Sequence, residues 1–203
     1  MEIYLIRHTT VDIKKGLCYG QSEIPLHSSF DTEAGLIKKF VPSNIEMIHS
    51  SPLKRCRQLA EYLFPERKVV YRPELMEIHC GEWEMRYWDE IPQAELDPWM
   101  TDFVNVSIPG GESYVQLYDR VRRGFENIAS ENKTAAIISH GGVIRSILSY
   151  LTNTSLKDSF KAFSLHYGCV IRVFQKNGRM EYETLSNVAP LEKESHKPSS
   201  FSR

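Results

Sequence analysis

Two short apolar runs in this chain each end on a histidine. The first occupies 3–6 and is followed by Arg7 and His8, and the second occupies 134–139 and is followed by His140. Apolar runs of this length without polar alternation are typical of strands buried on both faces of a parallel sheet. Parallel strands end at one edge of a sheet, where ligands bind in folds of this class. We therefore expect both imidazoles to lie at the same edge.

Strand and helix patterns alternate along the rest of the chain. The strand patterns lie at 46–50 and 68–72, and the helix patterns lie at 31–41, 52–64, 112–130 and 142–151, with Asp31 expected as the first N-cap. This alternation predicts an α/β fold, a three-layer sandwich with a mostly parallel central sheet and helices on both faces. Two later strand patterns flank Asn177-Gly178, a pair that favours a tight hairpin, so we expect one antiparallel edge.

The length of 203 residues suits a single domain. We expect this domain to cover 1–190, with a small cap insertion at about 79–108 and a polar tail at 191–203. The cap segment holds all three tryptophans, Trp83, Trp88 and Trp99.

Composition argues against several classes of partner. A formal net charge of −1 provides no field to attract nucleic acid or an anionic membrane, so we expect neither as a partner. The four cysteines are widely spaced, which predicts reduced thiols rather than a metal site or disulfides. The sequence has no membrane-length apolar run and no signal-peptide pattern, so we expect a cytoplasmic protein, either monomer or homodimer.

A second cation is expected at the same edge of the sheet. Arg55 lies one turn into the helix that follows the second strand, and helix N-termini attract anions. Arg7 and Arg55 could clamp phosphate oxygens, while Gly141 and Gly142 would let the backbone approach them. These residues describe a phosphate site, and we expect no metal. The remaining histidines that we considered are interpreted as structural: His27, His49 and His196.

Five segments resemble, in order, the signatures of the histidine phosphatase superfamily, in the branch that includes cofactor-dependent phosphoglycerate mutase. They are Arg7-His8-Thr9, Ser50 to Arg55, Glu74 to Glu77 with Gly81-x-Trp83-Glu84, Pro109 to Ser113, and Ser139 to Gly142. Within this superfamily the chain most resembles the alpha-ribazole phosphatases, through Tyr19-Gly20-Gln21 and the segment from His140 to Arg145. Thr9 stands where the signature has glycine, so the loop after His8 could differ in shape.

The resemblance implies a two-step phosphatase mechanism without a cofactor. His8 would be the nucleophile and form a phosphohistidine. Arg7, Arg55 and a protonated His140 would stabilise the charge on the transferred phosphoryl group. Glu77 would protonate the leaving alkoxide and then activate water. To carry that proton near neutral pH, Glu77 would need apolar surroundings.

The substrate expected from the resemblance is a small phosphomonoester, alpha-ribazole 5′-phosphate of cobalamin biosynthesis. The expected substrate-binding residues are Gly20, Gln21, Trp83 and Gly141. The aromatic cap could stack on a benzimidazole, or it could only pack on the sheet. Three alternatives stay open: a broad-specificity or sugar-phosphate phosphatase, a phosphoglycerate mutase, and an inactive phosphate-binding module. The mutase is disfavoured because Arg86 is the only cation between Glu77 and Pro109.

Overall fold

The computed structural model describes residues 1–189 and places six strands in one sheet. The strands are β1 (Glu2–Arg7), β2 (Met47–Ser50), β3 (Val70–Tyr71), β4 (Ala135–Ser139), β5 (Val170–Lys176) and β6 (Arg179–Ser186). The helices are α1 (Phe30–Lys38), α2 (Lys54–Leu63), α3 (Gln93–Thr101), α4 (Tyr114–Ser130), α5 (Gly141–Thr152) and α6 (Ser159–Ala162). The tail predicted at 191–203 lies outside the described residues.

The strand order is β3-β2-β4-β1-β5-β6. β1, β2, β3 and β4 are parallel to their neighbours in this group, and β5 runs antiparallel to both β1 and β6. The predicted hairpin joins β5 to β6 through Asn177 and Gly178, whose φ angles of 50° and 77° are both positive. A two-residue turn with both φ angles positive matches the twist of antiparallel strands, which is why Asn-Gly predicts it well. The prediction of a mostly parallel sheet is confirmed.

Side-chain alternation along β1 divides the core into two layers. Ile3 and Leu5 pack with α4 and α5 on one face of the sheet, while Tyr4 and Ile6 pack with α1 and α2 on the other. All four side chains are buried because β1 lies between β4 and β5, with helices on both faces. The predicted three-layer sandwich is therefore confirmed.

Several local predictions differ from the structure. The strand expected at 68–72 is reduced to Val70–Tyr71, because it is an edge strand that pairs with β2 at only two positions. The first helix begins at Phe30, so its N-cap is Ser29 and not Asp31. α6 was not predicted, and four residues give too little periodicity to identify a helix.

A third apolar cluster lies in the cap. The cap segment expected at about 79–108 contains α3 and two 3₁₀ turns, Gly81–Trp83 and Trp88–Glu90. The buried members of the apolar cluster are Cys18, Cys80, Trp83, Ile91, Leu96 and Ile108. Cys18 joins the long loop before α1 to the cap, because its N–H donates to Arg86 O and its carbonyl accepts from Met85 N, both at 2.8 Å. The loop and the cap therefore form one wall above the sheet.

Within residues 1–189, no helix combines the length and the apolar character that crossing a membrane requires.

Candidate active site

The two histidines that end the apolar runs lie side by side. β1 and β4 are parallel neighbours with Arg7 opposite Ser139, so His8 and His140 each follow a paired position. The centres of the two imidazole rings are 5.1 Å apart. The backbone N–H of His8 donates to Ser139 O at 3.0 Å, which fixes the end of β1 to the end of β4.

The environment of His8 determines which ring nitrogen is available. Nδ1 lies 2.8 Å from the carbonyl oxygen of Thr9. A carbonyl can only accept, so Nδ1 carries the hydrogen and the lone pair is on Nε2. Burial lowers the pKa of His8 well below its usual value, and the charges of Arg55 and Arg7 lower it further. His8 is therefore a neutral imidazole near pH 7 with Nε2 available for attack.

His140 is held in the opposite tautomer. Arg55 Nε donates to His140 Nδ1 at 3.2 Å, so Nδ1 is the acceptor. The hydrogen is then on Nε2, which lies 2.8 Å from Ser51 Oγ. Burial lowers the pKa of His140 well below its usual value, and the charges of Arg55 and Arg7 act in the same direction. The expectation of a protonated His140 is therefore wrong for this arrangement.

Arg55 is fully buried and is anchored by backbone carbonyls as well as by His140. Its Nη1 donates to Ser22 O at 2.9 Å and its Nη2 to Gly20 O at 2.5 Å. Since a guanidinium has five N–H groups, two N–H groups of Arg55 are not used by these contacts. The loop before α1 thus holds Arg55 in place and leaves it able to bind an oxyanion.

Arg7 approaches the same region from the end of β1. Its Nη1 donates to Leu165 O at 2.6 Å, and its Cζ lies 4.0 Å from the centre of the Tyr167 ring. A Cβ at Gly141 would lie 3.5 Å from Arg7 Nε, so the guanidinium is next to the first turn of α5. Two arginines and the N-terminus of a 12-residue helix therefore converge on His8.

Glu77 is positioned by two backbone N–H groups. Its Oε1 accepts from Ile78 N at 2.9 Å, and its Oε2 accepts from Gly142 N at 3.0 Å. A Cβ at Gly142 would lie 2.3 Å from Glu77 Oε1, so a larger residue here would displace the Glu77 carboxylate. Each carboxyl oxygen has a second lone pair that can carry a proton towards a ligand.

A cavity of about 250 Å³ lies between the sheet edge and the cap. Of the predicted site residues, Arg7, His8, Arg55, Glu77 and Gly141 line it. Its wall opposite the sheet is aromatic and includes Trp88, Trp99 and Phe103. The planes of Trp88 and Trp99 are 25° apart with ring centres 5.7 Å apart, so these two indoles are stacked.

The other predicted residues are not part of the cavity lining. His140 lies behind it, bound to Arg55 and Ser51. Gly20 accepts from Arg55, and Gln21 Nε2 donates to Glu77 O at 2.9 Å, so both support the lining residues rather than line the cavity themselves. Trp83 is 0% exposed and its Nε1 donates to Glu95 at 2.9 Å. The structure places Trp83 in the core of the cap, where it supports Trp88 and Trp99.

Several lining residues were not among the predicted site residues. Among them are Cys18, Tyr114, Arg145 and Phe160, besides the aromatic residues of the cap. The spacing of Arg145 could have indicated it, because Gly141 and Arg145 are four residues apart and so share one helical face. No comparable signal marks Phe160, which reaches the cavity from the short helix α6.

Among residues 1–189, no group of three or more histidine, cysteine, aspartate or glutamate side chains is arranged to hold a metal ion.

Comparison with known proteins agrees with this geometry. The family described as histidine phosphatase superfamily (branch 1) matches residues 3–188. The chain belongs to this superfamily. It is a histidine-type phosphatase, and relatives that carry phosphatase names match it over most of its length.

This histidine phosphatase is similar to relatives of different named activities. The metal-independent phosphoserine phosphatase of Arabidopsis thaliana is 33% identical over 168 residues, which cover 76% of this chain and 70% of the relative. The adenosylcobalamin/alpha-ribazole phosphatase of Salmonella typhimurium is 26% identical over 178 residues, which cover 83% and 88%. The crystal structure of the alpha-ribazole phosphatase from Shigella flexneri superposes with a TM-score of 0.81 at 23% identity, covering 95% and 100% of the two chains. At 23% identity, the similarity to the Shigella flexneri structure shows a shared fold only.

Proposed function

We propose that this histidine phosphatase hydrolyses small phosphomonoesters through a phosphohistidine on His8. The observation that carries the proposal is the tautomer of His8, whose Nδ1 hydrogen is bound by Thr9 O and whose Nε2 lone pair is free to react. A neutral imidazole is a good nucleophile, and the depressed pKa of His8 keeps it neutral at physiological pH. Covalent capture divides one difficult hydrolysis into two easier steps.

In the first step, His8 Nε2 attacks phosphorus and the bond from phosphorus to the ester oxygen breaks. The leaving alkoxide takes a proton from Glu77, which is the only carboxyl group among the described residues that line the cavity. Arg7, Arg55 and the N–H groups at the start of α5 stabilise the equatorial phosphoryl oxygens. In the second step, Glu77 removes a proton from water as the water oxygen attacks phosphorus. The bond from phosphorus to His8 Nε2 breaks, and inorganic phosphate leaves.

His140 acts in this proposal through Arg55. It accepts the Arg55 Nε hydrogen bond and donates to Ser51, so it fixes the plane of the guanidinium. A planar fork in a fixed orientation can bind two phosphate oxygens at once. The charge in the phosphate site then comes from the arginines, and His140 positions one of them.

Alpha-ribazole 5′-phosphate is one candidate substrate. The stacked indoles of Trp88 and Trp99, with Phe103 next to them, offer flat apolar surface for a benzimidazole. The similarity to alpha-ribazole phosphatases in sequence and fold supports this candidate.

A phosphorylated hydroxy acid, such as phosphoserine, is a second candidate, favoured by Arg145. This arginine lines the cavity in addition to the two at the phosphate site. The cavity of about 250 Å³ is smaller than the roughly 300–1,000 Å³ of sites for drug-sized ligands, which favours a small leaving group. The similarity to the phosphoserine phosphatase of Arabidopsis thaliana supports this candidate.

The proposal is tested by trapping the phosphoenzyme with a panel of phosphomonoesters. The wild type should form an acid-labile, base-stable phosphoryl adduct, as expected for a phosphorus–nitrogen bond, and should release phosphate. His8→Ala should form no adduct and lose nearly all turnover, while His27→Ala, in the loop before α1, should behave as the wild type. Near wild-type hydrolysis by His8→Ala would show that another group attacks phosphorus.

A further inference from the structure

A third arginine lines the cavity, and it comes from α5 rather than from the cap. The Cζ atom of Arg145 lies 4.1 Å from the centre of the Phe160 ring. Its two terminal nitrogens reach Gly141 O and Phe163 O only at 3.5 and 3.4 Å, near the limit for a hydrogen bond. Its Nε atom is buried and has no hydrogen-bond partner among residues 1–189. Arg145 is therefore a mostly buried cation whose hydrogen-bonding capacity is poorly satisfied.

Tyr114 supplies a second donor of the same kind. Its side chain lines the cavity and is 3% exposed, and its Oη makes no hydrogen bond of normal geometry among the described residues, although Ser146 and Ser159 lie near enough to oppose in part the rise in the pKa of Tyr114 that burial causes. The neighbouring hydroxyls of Ser146 and Ser159 donate to backbone carbonyls instead, at 2.9 and 2.7 Å. Burial raises the pKa of Tyr114, so the phenol keeps its hydrogen.

Unsatisfied buried polar groups are uncommon, and each costs free energy unless a ligand pairs with it. Here the guanidinium of Arg145 can only donate, the hydroxyl of Tyr114 has a hydrogen to donate, and both side chains line the cavity that holds His8. The missing partner is thus an acceptor, and a negative charge suits it best.

We propose that Arg145 and Tyr114 form a second anion subsite, which binds a carboxylate on the alcohol part of the substrate. The inference rests on the proposed function, because that alcohol is the group that leaves when His8 is phosphorylated. The preferred substrate class is then the phosphorylated hydroxy acids.

The charges that line the cavity support three negative charges on the substrate. They are the three arginines Arg7, Arg55 and Arg145, and the single carboxyl group of Glu77. When Glu77 carries the proton that it donates, these groups sum to three positive charges. A phosphomonoester contributes close to two negative charges near pH 7, since its second pKa is about 6. One carboxylate completes the balance in 3-phosphoglycerate, whereas a second phosphate would exceed it. Phosphoserine offers the same three negative charges and also carries an ammonium group, so its net charge is one unit less negative.

A neutral aromatic leaving group would use the cavity differently. It could stack on Trp88 and Trp99, but its ribose hydroxyls and ring nitrogen are neutral acceptors, which pair with a guanidinium more weakly than a carboxylate does. A buried cation discriminates against ligands that bring no negative charge, because its own charge is then left uncompensated. Arg145 therefore favours the phosphorylated hydroxy acids over alpha-ribazole 5′-phosphate.

The test uses pairs of substrates that differ in one group. Phosphoethanolamine is phosphoserine without its carboxylate, and glycerol 3-phosphate has a hydroxymethyl group where 3-phosphoglycerate has its carboxylate. The wild type should hydrolyse the carboxylate member of each pair with a kcat/KM higher by about 10- to 10²-fold, as expected for a hydrogen bond to a charged group. Alpha-ribazole 5′-phosphate should fall with the substrates that lack the carboxylate.

Variants then assign the preference to Arg145. Arg145→Gln should lower kcat/KM for phosphoserine to about the value for phosphoethanolamine, with little change for phosphoethanolamine itself. Tyr114→Phe should reduce the preference less, because it removes a neutral donor. The control is Arg122→Gln, on α4, whose guanidinium pairs with Glu126 at the surface and which should keep the full preference.

Failure of this inference is distinguishable from failure of the proposed function. Equal kcat/KM values within each wild-type pair would overturn the carboxylate subsite, even if Arg145→Gln does not fold, and the phosphohistidine mechanism would stand if the adduct forms. A preference that survives in folded Arg145→Gln would also overturn it. Absence of the adduct with every substrate, p-nitrophenyl phosphate included, would overturn the proposed function instead.

Discussion

We predict that Glu77→Gln loses activity in proportion to how strongly the leaving group needs a proton. An alkyl phosphate leaves as a basic alkoxide, whereas p-nitrophenolate departs without protonation. Glutamine keeps the size of the side chain but has no acidic hydrogen at this position. Removing a general acid typically costs about 10²- to 10⁴-fold in rate. We expect a loss of that size in phosphorylation by an alkyl phosphate, and a much smaller loss with p-nitrophenyl phosphate.

The contacts of Glu77 add a second effect that must be separated from the first. Its two oxygens accept from Ile78 N and Gly142 N, whereas a glutamine amide has one acceptor oxygen. Glu77→Gln therefore loses one backbone hydrogen bond, worth about 1.5–3 kcal/mol when the acceptor is charged. This loss shifts the side chain for every substrate, so it cancels in the ratio of the two phosphorylation rates.

The assay is the phosphoenzyme burst measured by rapid quench on both substrates. The burst isolates phosphorylation from the later attack of water, in which Glu77 is proposed to act as the base. Equal losses in the two bursts would show that Glu77 only positions phosphate or supports the cap.

Glu84 is a poor alternative to Glu77 as the general acid. Burial alone would raise the pKa of Glu84, but hydrogen bonds from Ser22, Gly20, Gln21 and Cys80 outweigh burial and hold it below its usual value.

Three further predictions concern the metal requirement, the position of Glu77 and the pH dependence of stability. Activity should persist in excess EDTA, since arginines supply the positive charge, and a loss that a divalent metal restores would contradict the mechanism. Gly142→Ala should lower the alkyl-phosphate burst strongly, because its Cβ would meet Glu77 Oε1 at 2.3 Å, whereas Gly35→Ala on α1 meets its nearest atom at 3.6 Å and should have little effect. Burial and the charge of Arg72 lower the pKa of His49 to about 4, so the unfolded chain binds a proton at higher pH than the folded one. The urea midpoint should therefore fall as pH falls from about 6.5 towards 4, and His49→Asn should show a shallower fall.

The sheet was predictable where local sequence and burial agree. β1 and β4 are apolar throughout because both faces are covered, and Asn177-Gly178 specifies the hairpin by its backbone conformation. The length of β3 was overestimated because it depends on how far the partner strand β2 extends. α3 has Pro98 inside it and a short, partly exposed apolar face, so the tertiary contacts of the cap decide its structure.

The sequence predicted which residues form the site better than it predicted the contacts between them. Strand ends brought His8, Arg7 and His140 to one edge, and motif resemblance identified Arg55 and Glu77. Trp83 was misplaced because composition shows that the cap is aromatic and gives no indication of which ring faces inwards. Its Nε1 is bound by Glu95, twelve residues away along the chain, and that contact exists only in the folded cap.

The charge on His140 illustrates why residue identity does not determine chemistry. A histidine next to a phosphate site suggests an imidazolium, yet Arg55 Nε points at Nδ1 and occupies the lone pair that a proton would need. Protonation of His140 would place two cations in contact in a buried site, which is costly. Positive charge in this site therefore comes from arginines, which stay protonated across the physiological range. It follows that the ability to bind a phosphate dianion should not depend on the titration of His140 near neutral pH.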